Sequence, residues 1–157
     1  NLAQYAEQQS GIKCIPLPEN GHCSVHSQLN VKDLERARED HPNADVLVHP
    51  ECVKEVRESA DVVGSTAQMY DHVKESKDKR FLIGTEKGLL ERMATDFPGK
   101  EFYLVSKKLI CHDMKKNTLE SIKEILENLG TSGHEVKVPK EIADKALEPI
   151  EKMLRFS

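Results

Sequence analysis

Short apolar runs that end abruptly in polar clusters set the rhythm of this chain. Val46 to Val48 lead into His49-Pro50-Glu51, Val62-Val63 into Gly64-Ser65-Thr66, and Phe81 to Ile83 into Gly84-Thr85-Glu86. Such runs predict buried strands. Between them apolar residues fall three and four apart, the spacing of one helix face. Val31, Leu34 and Ala37 precede the first run behind Asn30, a good N-cap, and Pro42 stops that helix. Val53, Val56 and Ala60 follow Pro50; Met69, Tyr70 and Val73 follow Ser65; Leu89, Leu90 and Met93 follow Glu86; a fourth strand runs from Phe102 to Val105. Strands alternating with helices predict a short parallel sheet with helices on both faces, an αβα sandwich of the α/β class. All strands then point one way, and the polar clusters share one rim. Ligands of open α/β sheets settle there, where the following helices present free N–H groups. The rim is the expected site, and it suits carboxylates or phosphate.

The rhythm then starts again. Cys23 is followed by a loop and Asn30; Cys111 is followed by a loop and Asn117, read as an N-cap with Glu120 at the capping-box position. A helix bearing Leu119, Ile122, Leu126 and Leu129 is expected to end at Gly130, and a strand (Val136, Val138) to meet Pro139 and a helix kinked near Pro149. The intervals 111 − 23 = 88, 117 − 30 = 87 and 139 − 50 = 89 agree, which marks an internal repeat. The expected organisation is a tail of a preceding αβα domain (1–22), a complete αβα domain (23–110), and the start of a further αβα unit with C-terminal helices (111–157). This last unit stops after one strand and a helix, and something absent from this sequence is expected to complete it.

Composition narrows the function. At 157 residues the chain is about one domain's worth. The charged fraction is 32% and the formal net charge −4, without the basic excess that nucleic-acid or membrane-surface binding needs, so neither is an expected partner. No apolar run approaches the ~20 residues that span a bilayer and no signal peptide is evident, which predicts a cytoplasmic protein. The sequence begins at Asn1 rather than methionine, which leaves open a removed N-terminal part and a targeting segment within it.

Four cysteines, Cys14, Cys23, Cys52 and Cys111, include no Cys-x-x-Cys pair, unlike a zinc ribbon or a thioredoxin motif. Cys52 opens a helix beside Glu51 and reads as a small buried hydrophobe. Cys23 and Cys111 occupy equivalent junctions of the repeat. Junctions converging on a pseudo-symmetry axis would bring their thiolates together as metal or cluster ligands. The repeat by itself leaves ligation and plain packing both open.

Five motifs, in order, resemble one family. They are Gly21-x-Cys23-x-Val25-His26; Val48-His49-Pro50-Glu51-Cys52; Ala60-Asp61-x-Val63-Gly64-Ser65-Thr66; Ile83-Gly84-Thr85-Glu86 with Gly88-Leu89; and Cys111-x-x-Met114-Lys115 with Thr118-Leu119-Glu120. The chain is similar throughout to the later two-thirds or less of quinolinate synthase, the A protein of bacterial and archaeal NAD biosynthesis. The resemblance implies three similar αβα domains around a pseudo-threefold axis, the first of them absent here. It implies a 4Fe-4S cluster held by three cysteines, one per domain, with one iron open to substrate. Cys23 and Cys111 match two of these ligands, the third belonging to the missing N-terminal domain; neither Cys14 nor Cys52 sits where the family places it. The family often has a tryptophan shortly before the position of Cys23, and this chain has none.

The implied reaction is a transferase-type condensation of iminoaspartate with dihydroxyacetone phosphate, closing to quinolinate with loss of phosphate and water. An open iron acts as a Lewis acid in it, without redox change. Glu51 is the expected acid/base, and His49, held extended by Pro50, the expected hydrogen-bond donor to substrate. Ser65 and Thr66, opening a helix, are expected to bind an anion or to cap the helix, and Thr85 to contact substrate. Glu86 has a weaker claim that a helix-start role also explains, and His26 is placed a layer behind. Expected partners are the two substrates, the missing domain, and an aspartate oxidase or dehydrogenase supplying iminoaspartate. The chain alone is not expected to make quinolinate. The rival reading is an iron-independent α/β lyase or isomerase binding a phosphorylated or dicarboxylate substrate at the strand ends, and behind it a non-catalytic binding module.

Overall fold

A computed structural model describes residues 1–130 and 133–156, in two compact units, Asn1–His112 and Asp113–Ser157. In the first, α1 (Leu2–Ser10) is followed by irregular chain and a single 3-10 turn at His26–Gln28. Helix α2 (Val31–Asp40) starts on Asn30, whose side chain accepts the Asp33 N–H while Asp33 accepts the Asn30 N–H, a reciprocal cap. Then come β1 (Asp45–Val48), α3 (Lys54–Glu58), β2 (Val62–Val63), α4 (Thr66–Glu75), β3 (Arg80–Gly84), α5 (Lys87–Asp96) and β4 (Glu101–Leu104). All four strands pair in parallel, in the order β2-β1-β3-β4.

Strand period sorts the core into two layers. Val46, Val48 and Leu82 pack with Leu34 and Ala37 of α2 and with Val56 of α3. Leu47, Phe81 and Ile83 point the other way, onto Met69 and Val73 of α4 and Met93 of α5. This is the expected αβα sandwich. The helices divide as they do because the chain steps outward from β1 to β2, then crosses back past β1 to β3. With right-handed crossovers, that reversal puts α3 on one face and α4 and α5 on the other. It also makes the carboxyl ends of β1 and β3 the switch point, where open sheets leave a crevice.

Two features shape that crevice. Gly84 lies opposite Val48, and a Cβ there would meet Val48 Cγ1 at 2.7 Å, so only glycine lets the strands approach this closely. Arg57, buried in α3, donates through Nη1 to the carbonyls of Cys52 and Pro50 and through Nη2 to Gln4, while Asn1 donates to the Glu51 carbonyl. The loop after β1 is thereby pinned residue by residue.

The second unit departs from expectation at two points. Helix α6 (Leu119–Glu127) is capped by Thr118, paired with Ser121, not by Asn117 with Glu120. The extended backbone runs one residue further than read, and Glu120 falls in the first turn, where its charge suits the helix dipole. Val136 and Val138 are exposed and lie outside any strand; an isolated apolar run has no ladder to complete it. Helix α7 (Lys140–Leu154) contains Pro149, carries Lys140–Asp144, Glu141–Lys145 and Glu148–Lys152 pairs one turn apart, and has no buried residue. No helix among the described residues is long and apolar enough to cross a membrane.

Candidate active site

Past the last residue of β1 the chain makes one more ladder bond, His49 N–H to the Gly84 carbonyl at 3.4 Å. It then turns, with the Cys52 N–H donating to the His49 carbonyl at 2.9 Å. Inside the turn His49 Nδ1 accepts the Glu51 N–H at 3.2 Å. That assigns the proton of the neutral ring to Nε2, where it can be donated outward.

Across the switch point, Thr85 follows β3 and is 1% exposed. Its Oγ1 lies 2.8 Å from Nε2 of His26, brought in by the 3-10 turn before α2. His26 and His49 stack with ring centroids 4.3 Å apart and 10° between planes. Glu51 Oε2 sits beside both, 3.3 Å from His26 Nδ1 and 3.7 Å from His49 Nδ1. Cys23 closes the group: its sulfur, a ring nitrogen of His26 and a carboxylate oxygen of Glu51 all lie within 4.8 Å of one another. A cleft of about 650 Å³ is lined by Cys23 and Glu51 of this group, by the start of α1 and by residues of the 16–22 loop.

The electrostatics favour uncharged imidazoles. Burial holds His26 below its ordinary range against the pull of Glu51, and burial together with His26 does the same to His49. Cys52 is different in kind: burial pushes its thiol up to about 12, and it donates to the Gly84 carbonyl. It is a packing residue, as its place beside Glu51 suggested.

The remaining expected residues stand apart. Ser65 Oγ accepts the Gln68 N–H at 3.3 Å and Gln68 returns the bond to the Ser65 N–H, so this hydroxyl caps α4. Thr66 is exposed and lines a separate cleft with Tyr70 and Arg92. Glu86 is buried; one carboxylate oxygen accepts the Gly88 N–H at 2.7 Å and the other the Cys111 N–H at 3.4 Å. Its side chain caps α5 and anchors the loop that carries Cys111.

The sequence model of the Quinolinate synthetase A protein family matches residues 1–155. The chain belongs to that family. It is 44% identical over 154 residues to a quinolinate synthase of Clostridium kluyveri, covering 98% of this chain and 50% of the relative. It is 44% identical over 156 residues to one of Thermotoga maritima, covering 99% and 51%. To one of Methanocaldococcus jannaschii it is 42% identical over 160 residues, again covering 99% and 51%. The chain spans about half the length of the curated relatives it matches.

Within the quinolinate synthase frame, the structure brings together Cys23, His49, Glu51 and Thr85. The residue underrated from sequence is His26, which holds the group together. A signal existed: Cys23 and His26 are three apart, and residues at that spacing on a turn share a side.

Proposed function

We propose that the chain is the later part of a quinolinate synthase of NAD biosynthesis. With a preceding αβα domain of the same protein, it condenses iminoaspartate and dihydroxyacetone phosphate to quinolinate, losing phosphate and water. The observation that carries this reading is the convergence of Glu51, His49, His26, Thr85 and Cys23 at the carboxyl ends of β1 and β3. The enzyme works in the cytoplasm, fed by an aspartate oxidase or dehydrogenase.

The condensation needs proton transfers, and Glu51 takes and returns them. Its neighbours are imidazoles that burial keeps neutral, so neither fixes the carboxylate as half of a permanent ion pair. A positioned carboxylate of this kind contributes ~10²- to 10⁴-fold in rate. His49 donates its Nε2 proton to a substrate carboxylate or carbonyl oxygen. Thr85 serves the substrate through His26, whose ring it holds against His49. The first amides of α4, with the exposed Thr66 hydroxyl, receive a carboxylate or phosphate, while Ser65 secures the helix start.

Cys23 and Cys111 fit the donor set of an iron–sulfur cluster: both thiols are free, partly buried and packed against one core. They would hold a 4Fe-4S cluster together with a third cysteine from the preceding domain. When bound, it supplies a Lewis-acidic iron that polarises a substrate oxygen without changing redox state.

Three variants of the full-length protein test this. Glu51→Gln is expected to lower kcat ~10²- to 10⁴-fold with iron content intact; an unchanged kcat would remove Glu51 from the mechanism. Cys23→Ser and Cys111→Ser are each expected to lose cluster absorption and turnover together. Iron and turnover retained in either would overturn the assignment. Anaerobic reconstitution of this chain with iron and sulfide should yield a cluster only when the preceding domain is supplied.

A further inference from the structure

A carboxylate can move protons at a fixed point only if its side chain leaves the main chain in one direction. For Glu51 that direction is set by the two rigid peptide planes that meet at its Cα. Both planes are held at both ends. In the plane before it, the Pro50 carbonyl accepts from Arg57 Nη1 at 3.4 Å and the Glu51 N–H donates to His49 Nδ1 at 3.2 Å. In the plane after it, the Glu51 carbonyl accepts from Asn1 Nδ2 at 3.0 Å and the Cys52 N–H donates to the His49 carbonyl at 2.9 Å. The Cys52 carbonyl accepts from Arg57 Nη1 in turn. The two N–H bonds arise inside the turn. The three carbonyl bonds come from outside it, two from Arg57 and one from Asn1.

Packing alone does not account for Arg57. It is 5% exposed, and no carboxylate pairs with it among the described residues. Its acceptors are neutral: the carbonyls of Pro50, Cys52 and, at 3.5 Å, Asn1, and the side-chain oxygens of Gln4 and Gln8 at 3.0 and 3.5 Å. The Tyr5 ring lies 5.7 Å from its guanidinium carbon. A buried charge is costly unless its donors are met, and here they are met only with α1 against the turn. Helix α1 has no buried residue of its own to keep it there. Gln4 and Gln8, one helical turn apart, grip the guanidinium from one face, and Asn1 at the head of α1 then reaches the Glu51 carbonyl. The planar fork of an arginine serves both sides at once, Nη1 the turn and Nη2 the helix; a lysine has a single nitrogen.

We propose that Arg57, together with Asn1, is a positioning residue of the reaction: by fixing both peptide planes of Glu51 it aims that carboxylate at the paired rings of His26 and His49. The inference rests on Glu51 being the acid/base, and Arg57 acts only through it.

The test uses variants of the full-length protein with iron content verified in each. Arg57→Lys keeps the charge and loses the fork; kcat is expected to fall ~10- to 100-fold, with KM changed less than ~3-fold. Asn1→Ala should lower kcat in the same sense, and it carries the test if Arg57→Lys does not fold. In a Glu51→Gln background, Arg57→Lys should change kcat by less than ~2-fold, because the group it aims is already gone. Val73→Ala thins the core layer on the other side of the sheet and should leave kcat unchanged, which separates positioning from lost stability. Hydrogen exchange read by mass spectrometry needs no turnover. The amides of Glu51 and Cys52 should exchange ~10-fold faster or more in Arg57→Lys and in Asn1→Ala, with those of Leu82 and Ile83 unmoved. Losses that multiply in the Glu51→Gln background, an unchanged kcat in both single variants, or unmoved exchange at Glu51 and Cys52 would each overturn the proposal. An unaltered protein that makes no quinolinate would instead overturn the reaction, and the exchange would still decide whether Arg57 and Asn1 hold the turn.

Discussion

Replacing Gly84 with alanine would press directly on the strand pair that carries the site. The new Cβ would lie 2.7 Å from Val48 Cγ1, 3.1 Å from the Leu47 carbonyl oxygen and 3.3 Å from Val48 Cβ. Neither neighbour is the loose end of a flexible side chain: Leu47 and Val48 are both 0% exposed, and the carbonyl belongs to β1. Overpacking of this kind costs about 1–3 kcal/mol. Losing a glycine stiffens the unfolded chain and returns about 0.4–1 kcal/mol. The expected net loss is about 1–2 kcal/mol. Part of the displacement must reach the turn that carries His49 and Glu51, because the Gly84 carbonyl accepts from both His49 N–H and the Cys52 thiol.

Urea unfolding followed by tyrosine fluorescence reads this well, since all three tyrosines, Tyr5, Tyr70 and Tyr103, lie in the sheet-bearing unit. Gly99→Ala is the control: nothing stands within 4 Å of its Cβ position, so it should be neutral or stabilising. Val48→Ala removes the methyl nearest the clash. The double variant Val48→Ala/Gly84→Ala should therefore be less destabilised than the two losses added, by about 0.5 kcal/mol or more. A Gly84→Ala chain as stable as Gly99→Ala, or a strictly additive double variant, would refute the close-approach argument.

Other substitutions separate packing from chemistry in the same region. At pH 9 an ordinary thiol is half ionised, whereas Cys52, pushed up to about 12, is ionised to about one part in a thousand. Iodoacetamide should therefore label Cys14, Cys23 and Cys111 well before Cys52, as mass spectrometry of the folded chain would read; comparable labelling of Cys52 would contradict its burial. Arg57→Met should cost about 2–3 kcal/mol in urea unfolding, because the buried carbonyls of Pro50 and Cys52 lose their donor; a negligible change would mean the loop does not depend on it. Ser65→Ala should lose about 1 kcal/mol and Ser65→Asp recover most of it, as a cap requires. Equal losses in both would point away from capping.

What could be read in the sequence and what could not divide along the range of the interactions. Val46-Leu47-Val48 and Phe81-Leu82-Ile83 announce strands because burial on both faces leaves no room for a polar position, and the clusters that follow them fall on one rim because parallel strands end together. Asn30 and Ser65 were legible as helix starts because a cap acts within three residues. The same locality misled at Asn117, where the adjacent Thr118 could cap equally well and did, and at Val136 and Val138, where a strand-like run lacks the neighbouring edge that makes a strand. Arg57, and the partners of His26, were beyond reach for the opposite reason. Thr85 is 59 residues from His26, and Gln4 is 53 from Arg57. Arg57 looks in sequence like an ordinary polar residue until the fold closes over it, and the Cys23–His26 spacing names His26 without naming what it meets. The two kinds of legibility meet at Glu51: its place at the end of β1 was written locally, but what its carboxylate can do depends on His26, which arrives from before α2. A sequence reading can therefore name the carboxylate and still miss the imidazole it faces, which reaches it only through the fold.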